Sequence, residues 1–322
     1  MSAPSSSAHL LQAAAAAAGG QSFPASTLYV VATPIGNLAD FSLRAMHTLA
    51  LADAVACEDT RVSGGLLRHL GLDKPLIALH EHNEQSAAAK VLERLARGER
   101  VAYVSDAGTP AVSDPGAVLV AQAQAAGYRV MPLPGASSVV TALSAAGCLA
   151  GHSGAVGFHF AGFLPAKGGD RQAALELLLQ QAGATVLFEA PHRIEALVTS
   201  LAERCPERKV TLCRELTKQF EQIHSAPAAR LPAWLAADAQ RLKGEFALVL
   251  HPLPPAVQQD GDDGLPAEAK RQLKVLLREL PLKQAVALAA ELSGTSRNAL
   301  YTLALQWRNA AGDDDSSEPG EG

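Results

Sequence analysis

Between Thr27 and His251 the chain alternates short, continuous apolar runs with longer amphipathic ones. LYVVAT, ADAVACED, PLIALHEHN, RVAYVS and YRVMPLPG have the length and composition of strands. The segments between them, FSLRAMHTLALA, TRVSGGLLRHLG, EQSAAAKVLERLARG and AVLVAQAQAAG, return apolar residues every three or four positions. Apolar strands joined by amphipathic helices predict a largely parallel sheet with right-handed crossovers. A second unit begins near Gly135. There ASSVVTALSAAG, DRQAALELLLQQAG and IEALVTSLAERC read as helices, and FHFAGFLP, TVLFEAP, KVTLCREL and GEFALVLHP as strands.

The flanks read differently. Residues 1–26, rich in Ala, Ser and Gly, are expected to form a disordered tail. PLPPAVQQDGDDGLP has linker composition, and the segment after it predicts a small helical appendage broken at SGTS in the manner of a helix-turn-helix. The expected domains are therefore α/β units over 27–134 and 135–253, a linker over 254–265, helices over 266–308 and an acidic disordered tail over 309–322.

Composition narrows the class. Of 322 residues 48% are hydrophobic and 18% charged, as in an ordinary globular protein, and no apolar run is long enough to span a membrane. The N-terminal HLLQAAAAAAGG lacks the basic start of a signal peptide. Cys57, Cys148, Cys205 and Cys213 show neither CxxC pairing nor metal-ligand spacing, which points to reduced thiols in a cytoplasmic protein. The net charge of −5 argues against a nucleic-acid partner until its placement is considered. Asp260, Asp262, Asp263, Asp313, Asp314, Asp315, Glu318 and Glu321 lie in stretches without Lys or Arg. Without those eight acids the −5 becomes +3, which permits a local basic groove.

Candidate chemistry collects at strand ends. Thr33-Pro34-Ile35-Gly36-Asn37 follows the first strand, where glycine lets a ligand approach backbone, but it is not a GxGxxG nicotinamide signature. Ser105-Asp106-Ala107-Gly108-Thr109-Pro110 is more rigid than a connection requires and suits a pre-shaped ligand loop, while Asp114 and Pro115 suit a helix start. Ser137 or Ser138 suits a cap or a ligand contact. Phe188-Glu189-Ala190-Pro191-His192-Arg193 brings carboxylate, imidazole and guanidinium to one strand tip, and Arg214 to Glu221 is a charged strand terminus. His80-Glu81-His82 lacks the spacing of a metal site, so no metal is expected. Lys167 and Arg171 read as a mobile basic loop.

In this order, VATPIGNLADFSLRA, CEDTR, SDAGTPAVSDPG, GFLPAK, PHR and RELTK resemble the ribosomal RNA small-subunit methyltransferase I family of the tetrapyrrole-methylase superfamily. The resemblance covers residues 27 to 252, and the helical tail is similar to that family's appended helix-turn-helix. It implies two α/β domains that clasp S-adenosylmethionine between them, a homodimer, and methylation of a cytidine 2'-oxygen in the decoding centre of 16S ribosomal RNA. Carried over residue by residue, it implies Ile35, Gly36, Gly108, Thr109, Val112, Ser137 and Ser138 beside the cofactor, with Phe188, Leu216 and Phe246 around the adenine. FEAPHR departs from the family in having Ala-Pro where a Ser-Thr-like pair is expected.

Transfer to a ribose hydroxyl calls for a base, since that hydroxyl is scarcely ionised at neutral pH. Glu189 is the candidate, with Arg193 and Lys218 holding phosphate or the developing alkoxide and Asp59 and Asp106 as competing bases. Arg61, Lys167, Arg171 and Arg193 are the expected RNA contacts on the small ribosomal subunit. Two other readings stand beside this one. A methylase of the same fold acting on a tetrapyrrole has no need of the basic loops or the tail. A non-catalytic nucleic-acid-binding module leaves the rigid ligand turns without a purpose.

Overall fold

The computed structural model describes residues 6–80, 83–112, 115–148, 157–166, 168–253, 265 and 267–312. They fall into two compact units, one ending at Pro252 and the other starting at Leu253.

In the first unit α1 (Ser6–Ala18) precedes a run of β1 (Thr27–Val31), α2 (Leu43–Leu51), β2 (Ala54–Cys57), α3 (Thr60–His69), β3 (Leu76–Ala78), α4 (Glu84–Ala96), β4 (Arg100–Val104), α5 (Ala117–Ala125) and β5 (Arg129–Leu133). The five strands form one sheet in the order β3-β2-β4-β1-β5, every pair parallel. Alternate side chains face opposite layers. Tyr29, Val31, Val55 and Val104 pack with α2 and α3, while Leu28, Ala56, Val101 and Tyr103 pack with α4 and α5. The chain therefore leaves β1 toward one face and β4 toward the other. A crevice opens at such a switch of direction, at the carboxyl ends of the two strands.

Residues 6–18 correct the expected disordered tail. Alanine is the strongest helix former, and Ala14 and Ala18, one turn apart, are buried. Ala14 belongs to the same apolar cluster as Phe41, Met46 and Leu49.

The second lobe of this unit comprises α6 (Ser138–Ala146), β6 (Phe158–Phe163), α7 (Gly168–Leu179), β7 (Ala184–Glu189), α8 (Ile194–Arg204), β8 (Lys209–Arg214), β9 (Gln222–Pro227), α9 (Leu231–Ala236) and β10 (Phe246–Leu250). Its sheet runs β6-β7-β10-β8-β9, with only β6 and β7 parallel. Strand β9 and helix α9 were not expected from the sequence. Leu187, Leu212 and Leu248 pack beneath α7, α8 and α9. Val186, Cys213 and Val249 pack beneath α6, in a cluster that also takes in Ile35 from the first lobe.

The unit after Leu253 contains α10 (Ala267–Glu279), α11 (Leu282–Ser293) and α12 (Arg297–Gly312). Its own core is formed by Ala269, Leu273, Val286, Ala289, Leu300 and Leu303. Gly294, at φ 66°, ends α11 in a left-handed cap at the anticipated SGTS break. Among the described residues no helix is long and apolar enough to cross a membrane.

Candidate functional site

Three turns of the first lobe lie side by side because β4, β1 and β5 are neighbours. The turns after β1 and β4 are joined by an antiparallel bridge, with Thr33 N donating to Gly108 O at 2.9 Å and Gly108 N to Thr33 O at 3.1 Å. Thr109 Oγ1 donates to Ala136 O at 3.0 Å, which fastens the β4 turn to the start of α6. Gly108 has φ +85°, and a Cβ there would stand 3.2 Å from Cγ2 of Ile35. Only glycine takes that conformation with little strain.

The second lobe supplies the opposite wall through strand register. Phe246 pairs with Glu189 on one side and with Arg214 on the other, so the tips of β7, β10 and β8 stand in one row. The turn after β8 is bent sharply, with Glu215 at φ 52° and Thr217 at φ 66°. That bend carries Leu216, Thr217 and Lys218 against Gly36 of the first lobe, where a Cβ would be 2.5 Å from Lys218 Cγ.

Between the walls lies a cleft of about 410 Å³ lined by Ile35, Asp106, Ala107, Ser138, Phe188, Leu216 and Phe246, among others. A recess of about 60 Å³ continues it past Gly108, Thr109, Val112, Ser137 and Ser138, sharing Ala107, Ser138 and Phe188 with the main cleft. Nine of the ten residues that the sequence suggested for the cofactor thus border one or other of these two neighbouring spaces. The tenth, Gly36, lies behind them against the β8 turn. Phe188 is set edge-on between Phe160 and Phe163, at ring separations of 5.1 and 5.6 Å.

The three charged candidates are all engaged. The Glu189 side chain is fully shielded from solvent, with Arg171 Nη2 2.6 Å from Oε2 and Arg193 Nε 2.7 Å from Oε1. Oε1 also accepts from Ala190 N at 2.9 Å. The Arg193 contact is an ion pair without hydrogen-bond alignment. Arg171, expected on a mobile loop, lies in α7 and also donates to Pro165 O at 3.2 Å. Lys167 lies outside the described residues, as do Glu81, His82 and Asp114. Lys218 Nζ bridges Glu215 and Glu245, 3.0 Å from each. Burial opposes its charge, but the two carboxylates outweigh that and hold its pKa above the ordinary lysine value.

The competing carboxylates differ from each other. Asp59 caps α3 and pairs with the exposed Arg61, and that hydrogen bond draws its pKa down to about 2. Asp106 accepts from Asp59 N through Oδ1 at 3.0 Å, and its Oδ2 has no hydrogen-bond partner among the described residues. Asp106 also borders the cleft, which Asp59 does not. Sequence spacing alone had ranked neither above Glu189. Among the described residues no group of His, Cys, Asp or Glu is arranged to hold a metal.

Comparison with known proteins gives concordant matches. The model of the tetrapyrrole (corrin/porphyrin) methylases matches residues 27–232, and that of the RsmI C-terminal HTH domain matches residues 263–308. The chain is 45% identical to a ribosomal RNA small subunit methyltransferase I of Neisseria meningitidis, over 94% of this chain and 98% of that one. It is 47% identical to the protein of that name from Pseudomonas aeruginosa, over 88% and 98% of the two chains. The Escherichia coli O157:H7 protein of that name is 46% identical, over 87% and 94%. Among solved structures, diphthine synthase superposes with a TM-score of 0.53 at 15% identity, over 70% of this chain and 90% of that one. A cobalt precorrin-4 methyltransferase gives 0.50 at 18% identity, over 70% and 94%. Likeness at such identity is one of fold alone.

Proposed function

The chain belongs to the tetrapyrrole methylases, in the branch of the ribosomal RNA small subunit methyltransferases I, and on that premise we propose that it methylates 16S ribosomal RNA with S-adenosylmethionine as donor. The acceptor is the 2'-oxygen of a cytidine ribose in the decoding centre, presented on the small subunit. A cytoplasmic homodimer belongs to the same reading.

The observation that carries it is the lining of the cleft. A volume of about 410 Å³ suits a small ligand. Phe188, Phe246 and Leu216 offer apolar faces for a purine. Gly108, Thr109, Ser137 and Ser138 leave backbone and hydroxyl groups for an amino-acid end. The donor set thus fits S-adenosylmethionine, which when bound supplies an electrophilic methyl group and needs no metal. The relatives at 45–47% identity share an RNA-methylating name, which favours RNA over a tetrapyrrole as acceptor.

The residues divide the remaining work. Glu189 has both oxygens committed, so its part is to hold Arg171 and Arg193 at the cleft, where the guanidiniums meet RNA phosphate. Lys218 stays protonated and fixes the β8 turn. Asp106 Oδ2 has no protein partner among the described residues and takes the hydroxyl proton, whereas Glu245, largely exposed, gives one oxygen to Lys218. The test is radiolabelled methyl transfer from S-adenosylmethionine to small ribosomal subunits from a strain lacking the modification, followed by mapping of ribose methylation. Incorporation at one cytidine is expected, and none would overturn the reading.

A further inference from the structure

The first lobe has a second cavity, of about 270 Å³, between the β1 turn, one face of α3 and the tip of β4. Asp106 lines both this cavity and the donor cleft, so the two spaces share a wall at a carboxylate whose Oδ2 is open. Phe188 and Gly108 themselves take no part in it.

Three features suit it to a ligand. Ser63 is 3% exposed, lines the cavity, and its Oγ has no oxygen or nitrogen partner among the described residues. The neighbouring buried Cys57 thiol, a weak hydrogen-bonding group, is that hydroxyl's side-chain partner. A buried hydroxyl with only a thiol beside it keeps hydrogen-bonding capacity for a polar group that enters the cavity. Next, α3 carries glycine at positions 64 and 65, in the middle of a helix, where glycine weakens it. Gly65 borders the cavity, and a Cβ there would meet nothing nearer than 3.9 Å. Packing therefore does not demand glycine, but a side chain would reduce the space. Finally, Leu38 and Val62 line the cavity with 46% of each exposed. Two aliphatic groups over a hydroxyl-bearing floor suit a flat ring with a polar edge. The volume is too small for a tetrapyrrole.

We propose that this cavity receives the acceptor nucleoside, turned out of the RNA, with its ribose toward Asp106 and its base between Leu38 and Val62 over Ser63. RNA is commonly read through unstacked nucleotides of this kind. The proposal rests on the RNA-methylating reading above and assigns the acceptor side of the same site.

The experiment uses full-length protein, S-adenosylmethionine and unmodified small ribosomal subunits. Gly65→Leu puts a side chain into the cavity, and leucine is the better helix former, so the fold should hold. Single-turnover methylation is expected to fall about 100-fold, with calorimetric affinity for S-adenosylmethionine within about twofold of wild type, inside the usual scatter of uncoupled sites. Ser63→Ala, which adds no bulk, should slow methylation by about 3- to 10-fold at unchanged donor affinity, and it serves if Gly65→Leu does not fold. Wild-type methylation by Gly65→Leu would overturn the proposal, as would parallel loss of donor binding and methylation in both variants. Failure of the wild type to methylate subunits would instead overturn the reading beneath it.

Discussion

Gly36 and Lys218 meet across the two lobes, so closely that a single methyl group on Gly36 would lie 2.5 Å from Cγ of Lys218. Thr217 Oγ1 and Leu216 O stand 3.0 and 3.1 Å from the same point, so the entire β8 turn is in the way. Gly36→Ala must push that turn, which includes the cleft-lining Leu216. Overpacking of this kind costs about 1–3 kcal/mol. We expect a lower thermal midpoint and weaker S-adenosylmethionine binding by calorimetry. Lys218→Ala in the same chain should recover part of the loss, since the two sites are in contact and not additive. Equal affinity for Gly36→Ala and wild type would show that the turn is not part of the donor site.

Glu189 and Asp106 should separate in their kinetics. Asp106→Asn removes the proposed proton acceptor and is expected to slow single-turnover methylation at saturating donor by roughly 10²–10⁴-fold. Glu189→Gln leaves Arg171 and Arg193 without their buried counter-charge. It should lower the unfolding midpoint, since breaking one side of a buried ion pair costs about 3–5 kcal/mol. A Glu189→Gln enzyme that is folded and binds donor yet has lost methylation, beside an active Asp106→Asn, would return the base to Glu189.

His251 sets a pH dependence of stability. Its Nε2 is 2.8 Å from Thr211 Oγ1, and burial, with Lys209 and Arg208 nearby, lowers its pKa to about 4. In the unfolded chain the ring titrates near 6.5. The folded state therefore favours the neutral ring, so its contribution is whole above about pH 6.5 and disappears as pH falls toward 4. Urea unfolding at pH 7 and pH 5 should give a smaller stability difference for His251→Gln than for wild type. An unchanged difference would mean that the imidazole titrates alike in both states.

Much of the cleft was legible because its parts are local. Thr33 to Asn37 and Ser105 to Pro110 announce themselves by Gly and Pro directly after apolar strands, and those strand ends are adjacent in any sheet of this kind. What escaped notice depends on contacts between distant positions. Arg171 and Glu189 are 18 residues apart, and nothing in either segment shows that they pair. Strand β9, QIHSAP, is half-exposed at a sheet edge and carries too few apolar residues to stand out. The antiparallel second sheet was hidden for a similar reason, since strands covered on both faces read as apolar whatever their direction. A signal for the second cavity was present in the Gly-Gly of TRVSGGLLRHLG, a pair unfavourable to a helix that otherwise reads clearly.

The N-terminal helix offers the sharpest contrast between composition and packing. An Ala-rich run with little amphipathicity reads as a tail, yet Ala14 is fully buried with Phe41, Met46 and Leu49, and α1 packs along α2. Ala14→Asp places a charge in that contact with no partner, a substitution that a docked helix tolerates poorly. Ala13, one residue earlier, is exposed, so Ala13→Asp is the matched control. Hydrogen exchange should show amides of residues 6–18 losing protection in Ala14→Asp and keeping it in Ala13→Asp. Donor binding should stay the same in both, because no residue of α1 borders the cleft. Equal exchange in the two variants would mean that the helix is not held by its buried alanines.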